Sequence, residues 1–162
     1  MAEVYFAANG VSPTTAAQIA VTTGTAIKTL MQVATPSTAQ IAVVEWGVSF
    51  DGSTAATPIK VELLQTDVAA TVTSVTPTLW NDPLGPASLC VGGASATGHT
   101  ATAEGTITAV RMFDVQFISP TNQYIKQYPL GREPKVPVSK FLRIRVTAAA
   151  AVNAYAYIIW EE

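Results

Sequence analysis

The chain has 162 residues and a mass of 17.0 kDa, enough for one core, yet only 12% of its residues are charged, about half the usual share. Its formal net charge of −2 leaves no excess of lysine and arginine to neutralise a run of phosphates, which argues against nucleic acid as a partner. The opening Met1-Ala2-Glu3-Val4-Tyr5-Phe6 lacks a basic, then apolar, secretory pattern and no apolar run reaches membrane-spanning length, so the expectation is a chain made in a cytoplasm with no membrane partner.

So few charges have two readings: a neutral Thr-rich surface facing solvent, or a surface covered by sister subunits or a larger assembly. The second is the expectation adopted. Residues 1–162 are expected to form one β-sandwich domain, with residues 1–15 a possible N-terminal arm.

In chain order, residues 4–8 and 26–34 read as strands, and residues 16–20 carry the only helix-like spacing, too short to expect much helix. Period-2 alternation is clearest over residues 41–50, where Ala42, Val44, Trp46, Val48 and Phe50 share one face and Glu45 and Ser49 the other. The turn signal Asp51-Gly52-Ser53 follows, then Ile59, Val61 and Leu63 alternate with Lys60 and Glu62. A strand pair joined by a loop is expected there. Residues 71–79, 106–118 and 123–127 are further strand candidates. Leu142, Ile144 and Val146 alternate with Arg143 and Arg145, and residues 152–160 are rich in Val, Ile and Tyr; these two strands are expected to be neighbours joined by the Ala-rich residues 147–151. The total is about eight or nine strands, an all-β, two-sheet sandwich, jelly-roll-like or Ig-like.

Residues 81–105 hold Pro83, Gly85, Pro86, Gly92, Gly93 and Gly98 among small residues and read as a long loop, a candidate contact element. The stretch from Gln127 to Pro137 combines three prolines with Arg132, Glu133 and Lys135, so it should be extended, stiff and exposed. It fits an arm or rim on a partner, or a rigid connection between strands.

Catalytic chemistry finds no purchase. The single histidine, His99, sits in the Gly- and Ala-rich loop, where rigid positioning is least expected, and reads as an exposed loop residue. The single cysteine, Cys90, has no disulfide partner and reads as a small buried residue. One Cys and one His cannot supply a closed zinc site, and Asp51 with Ser53, or Asn81 with Asp82, are turn formers rather than a calcium loop. Gly92-Gly93 lacks the lysine and context of a phosphate loop. No enzyme activity, metal or cofactor is expected.

The aromatic residues Trp46, Trp80, Tyr124, Tyr128, Tyr155, Tyr157 and Trp160 belong on strands as core or interface, except that Trp80, Tyr124 and Tyr128 lie near loops where a ligand has access. An exposed tryptophan on a sheet face would favour a carbohydrate-binding module; a large apolar, self-complementary patch would favour assembly.

Through Trp46-Gly47-Val48-Ser49-Phe50-Asp51-Gly52, Tyr128-Pro129-Leu130-Gly131-Arg132-Glu133 and Tyr157-Ile158-Ile159-Trp160-Glu161-Glu162, the chain resembles small virion proteins of tailed bacteriophages, in particular capsid decoration, or cement, proteins. The resemblance implies a jelly-roll-like or Ig-like domain, frequently a homotrimer, on the capsid surface of the virion, bridging major capsid protein subunits without an active site. A tail, receptor-binding or head-completion component is the nearest variant. The candidate partner contacts are Tyr5, Phe6, Trp80, Tyr128, Arg132, Glu133 and Lys135; a glycan is the alternative ligand and is not favoured.

Overall fold

Strand β4 (Ile41–Phe50) shows how alternation builds the core: Trp46, Val48 and Phe50 are buried, and Glu45 and Ser49 lie on the other face. The expectation fails at its start. Ile41 and Val43 are the buried residues there, and Ala42 and Val44 are not, because the pairing with β13 (Asn153–Glu161) slips by one residue between Glu45 and Val43. Such a bulge reverses which side chains face the core.

A computed structural model describes residues 2–10, 17–52 and 57–162. Among these the chain is all β, with two antiparallel sheets packed as a sandwich. Sheet A runs β10 (Gln123–Gln127), β4, β13, β1 (Val4–Ala8), β7 (Thr78–Leu79); β11 (Lys135–Val136) extends the pairing on β4 and β2 (Val21–Thr22) that on β13. Sheet B runs β6 (Thr71–Ser74), β8 (Gly98–Ala103), β3 (Ile27–Ala34), β12 (Phe141–Thr147), β5 (Ile59–Thr66), β9 (Val110–Ile118). Between the sheets lie Trp46, Trp160, Ile41 and Ile158 from sheet A and Leu30, Met31, Leu63, Leu142 and Ile144 from sheet B, all fully buried. Each such side chain contributes roughly 1.5–3 kcal/mol of transfer free energy.

Among the described residues thirteen strands replace the expected eight or nine, the additions being mainly the short β2, β7, β8 and β11. Both expected neighbour pairs are corrected. Strands β4 and β5 belong to different sheets, and so do β12 and β13, so the connections after Asp51 and after Thr147 cross the sandwich instead of turning a hairpin. Residues 71–79 likewise split into β6 of sheet B and β7 of sheet A. Residues 17–20 carry no helix; Ala16 and Ser53 lie outside the described residues. In the segment proposed as an arm, Val4–Ala8 is an inner strand between β13 and β7, and residues 1 and 11–15 lie outside the described residues.

A polar network fastens the outer side of sheet B. The Arg143 guanidinium, fully buried, donates to the Glu104 carbonyl and carboxylate at 3.0 and 3.2 Å and to the Val68 carbonyl. Glu104 also accepts from the Thr29 N–H and hydroxyl, each at 2.6 Å. On the neighbouring row Glu62 receives Lys60 and Arg145, each at 3.0 Å.

Candidate functional site

Two surfaces stand out, one on each sheet. On β1, Tyr5 and Ala7 point into the core, so Phe6 points outward; on β13, Ala154, Ala156 and Ile158 point inward, so Tyr155 and Tyr157 point outward. Antiparallel pairing sets Phe6 opposite Ile159 and Tyr157 opposite Gly47. The result is a continuous strip of rings across the outer face of sheet A. Trp80, just beyond β7, lies 5.6 Å from Phe6, Phe6 5.9 Å from Tyr157, and Tyr157 6.2 Å from Tyr155, with interplanar angles of 51°, 32° and 38°. Trp80 is 56% exposed; the other three rings are half-buried.

Gly47 explains how Tyr157 can lie down on the sheet. A β-carbon at position 47 would stand 2.5 Å from the tyrosine ring, so any side chain there would lift it. The Tyr157 hydroxyl donates to Glu45 Oε1 at 2.5 Å, and burial together with that carboxylate pushes its pKa well up. Burial also raises Tyr155.

At one end of this face Val4, Val44, Gln127, Tyr128, Leu130 and Glu133 line a shallow cleft of about 440 Å³. Above it Leu130 stands 95% exposed in a turn closed by the Arg132 N–H donating to the Pro129 carbonyl at 2.9 Å.

The second surface is the open edge of sheet B. A register shift beside Phe113 switches the alternation of β9, so that Asp114, Gln116 and Ile118 lie opposite the core residues Leu63, Val61 and Ile59. Val110, Met112, Val115 and Phe117 are thereby turned outward. Val110, Met112 and Phe117 are 61%, 57% and 72% exposed. Asp114 and Gln116 point in beside Phe113 and Ile118, while the outward row is wholly apolar, where a normal half-buried strand would place its polar residues. The inward Asp114 accepts from Tyr124 and Gln116, each at 2.9 Å, and burial with that carboxylate raises the Tyr124 pKa to about 12. Arg111 lies 4.6 Å over the Phe113 ring and donates to the Lys135 carbonyl, so side chains clasp β9 to β10 and β11 without backbone pairing.

Of the expected contacts, Phe6 and Trp80 come together in the aromatic strip, and Tyr128 and Glu133 at the cleft. Arg132 and Lys135 are exposed on the segment that leads away from it. Tyr5 is buried, stacked 6.3 Å from Trp160, and presents no surface. Tyr155 and Tyr157, expected as core or interface, are not among the expected contacts, and residues 106–118 are expected as a strand without a contact role; the signal for Tyr157 is Gly47, whose missing side chain marks a ring lying on a strand.

The long loop is shorter than expected. Residues 98–103 form β8, and residues 80–97 are anchored by Glu162, which accepts from Ser88 Oγ at 2.5 Å, Leu89 N at 2.8 Å and Trp160 Nε1 at 2.9 Å. Burial would raise the Glu162 carboxyl, but these donors outweigh it and hold its pKa below the usual value. Cys90 is buried beside it, its thiol pushed up by burial and by the Glu162 charge. His99 is not an exposed loop residue: it lies on β8 opposite Met31, buried, its Nδ1 2.8 Å from Thr100 Oγ1, and burial lowers its pKa. Asp51 accepts from the backbone and side-chain amides of Asn153 and so ties the end of β4 to the start of β13, whereas Asp82 accepts from Leu84 N at 2.9 Å and serves a turn.

No protein-family model matches this chain, and no curated protein matches it in sequence.

Proposed function

We propose that this protein is a non-enzymatic structural component of a virion, a homotrimer that decorates a tailed-phage capsid and stabilises it by bridging major capsid protein subunits. The observation that carries the reading is the inverted edge strand. Isolated exposed apolar side chains are ordinary, but an apolar row on the solvent face of a nine-residue edge strand, with its polar residues turned inward, is a surface suited to being covered. The low charged fraction fits the same assembly, and the resemblance in the Trp46, Tyr128 and Tyr157 segments supplies the kind of assembly.

Sister copies cover β9 in this reading, and the exposed turn at Leu130 and Arg132 meets the shell. Sedimentation of purified protein with expanded phage shells tests the second contact: Arg132→Glu should keep its fold and oligomer mass and lose co-sedimentation. Equal co-sedimentation of variant and parent would remove that contact from the proposal.

A further inference from the structure

The aromatic strip lies on the outer face of sheet A, across the sandwich from the outer face of sheet B that carries the β9 row. We infer that this strip is a carbohydrate-binding surface, and that its ligand is a neutral, linear β-1,4-linked chain of pyranose rings. The inference goes beyond the structural role and does not require it.

Three observations select that chemistry. The four rings follow one another at 5.6, 5.9 and 6.2 Å, a row of successive apolar plates that suits a chain of sugar rings rather than one small molecule. Neighbouring rings are tilted against one another by 51°, 32° and 38°, so a ligand lying on them cannot be flat along its length and must be able to twist. The polar groups beside the rings also fit a polyol. Glu45 is fixed at the strip by the Tyr157 hydroxyl and its second carboxylate oxygen is directed to no partner among the described residues, while Ser49 and Gln127 stand on the same outward rows. A carboxylate without a paired cation attracts hydroxyl donors and repels anions, and the carboxylates of Glu133 and Glu161 at the adjoining cleft add to that sign. An acidic polysaccharide is therefore disfavoured. Apolar plates for the C–H faces and fixed acceptors for the hydroxyls are the combination by which a mostly apolar site gains orientation.

The test is calorimetric and fluorescence titration of the whole protein with cellohexaose and with chitohexaose, and with polygalacturonate as the anionic probe. Saturable binding of one neutral hexamer is expected, with a change in tryptophan emission and no binding of polygalacturonate. Which hexamer binds separates a plain glucan from an N-acetylated one. Trp80→Ala, at an exposed position, should weaken binding roughly tenfold or more while leaving thermal stability and oligomer mass unchanged. Glu45→Gln should weaken it less. Failure of both neutral hexamers to bind at millimolar concentration, or equal binding by Trp80→Ala, would overturn the inference. A Trp80→Ala protein that changes its oligomer mass would also overturn it, by showing the strip to be a protein contact. Failure of the glycans to bind, or equal binding by Trp80→Ala, leaves the β9 reading untouched, since its variants lie on the other sheet, whereas a changed oligomer mass in Trp80→Ala would move the subunit contact to sheet A.

Discussion

Trp46 and Trp160 are the largest side chains with no exposed surface among the described residues, and Trp46 packs 5.3 Å from Tyr124 on the neighbouring strand. Trp46→Ala should cost about 3–5 kcal/mol in urea denaturation, the usual range for an aromatic deleted from a core that only partly collapses. Arg143 presents a different case. Its charge is fully buried, so Glu104→Ala leaves it without its carboxylate and should cost roughly 3–5 kcal/mol, whereas the double variant Arg143→Met with Glu104→Gln should recover much of that loss in the same denaturation assay. Glu162 gives a pH dependence whose sign follows from its environment. Its folded pKa lies below the ordinary 4.5, so the folded state binds fewer protons than the unfolded one; the stabilisation is complete above that value and is lost as pH falls through the folded pKa. Glu162→Gln should flatten the fall in melting temperature below about pH 4.5 and loosen residues 80–97 in hydrogen exchange. Residue identity was legible for Trp46 and Cys90, both expected inside. It misled for His99, because Gly and Ala around it mark close packing of β8 against β6, where a β-carbon on Gly98 would stand 2.4 Å from the Thr73 carbonyl oxygen, and not a mobile loop.

At the scale of elements, alternation found β1, β4 and β10 with their limits and the cores of β3, β5, β12 and β13. It could not say which sheet a strand joins, because a two-sheet sandwich has the same inward and outward period whether consecutive strands pair or face each other across the core. That is why β4 and β5, and β12 and β13, looked like neighbours. Two-residue strands carry no period at all, so β2, β7 and β11 had no signature. Bulges were the other blind spot. One at Val44 exchanged the faces at the start of β4, and one at Phe113 turned Val115 and Phe117 to solvent and Asp114 and Gln116 inward. The inward Asp114 is the testable product of the second bulge: Asp114→Leu, which removes the acceptor for Tyr124, should loosen the clasp between β9 and β10, seen as faster amide exchange in both strands.

The whole molecule carries two chemically different faces. The outer face of sheet A offers rings and carboxylates, half of which the sequence disclosed through Phe6 and Trp80; the edge of sheet B offers Val110, Met112 and Phe117, which period-2 reading alone hides behind a bulge. The central claim is that the β9 edge is covered by other copies of this chain. Light scattering across a dilution series measures it most directly. The account predicts a mass about three times 17.0 kDa that persists on dilution, and a shift of Phe117→Asp toward the single-chain mass with its melting temperature little changed. A parent protein that remains at the single-chain mass at every concentration, or a Phe117→Asp variant that keeps the parent's mass, would contradict it.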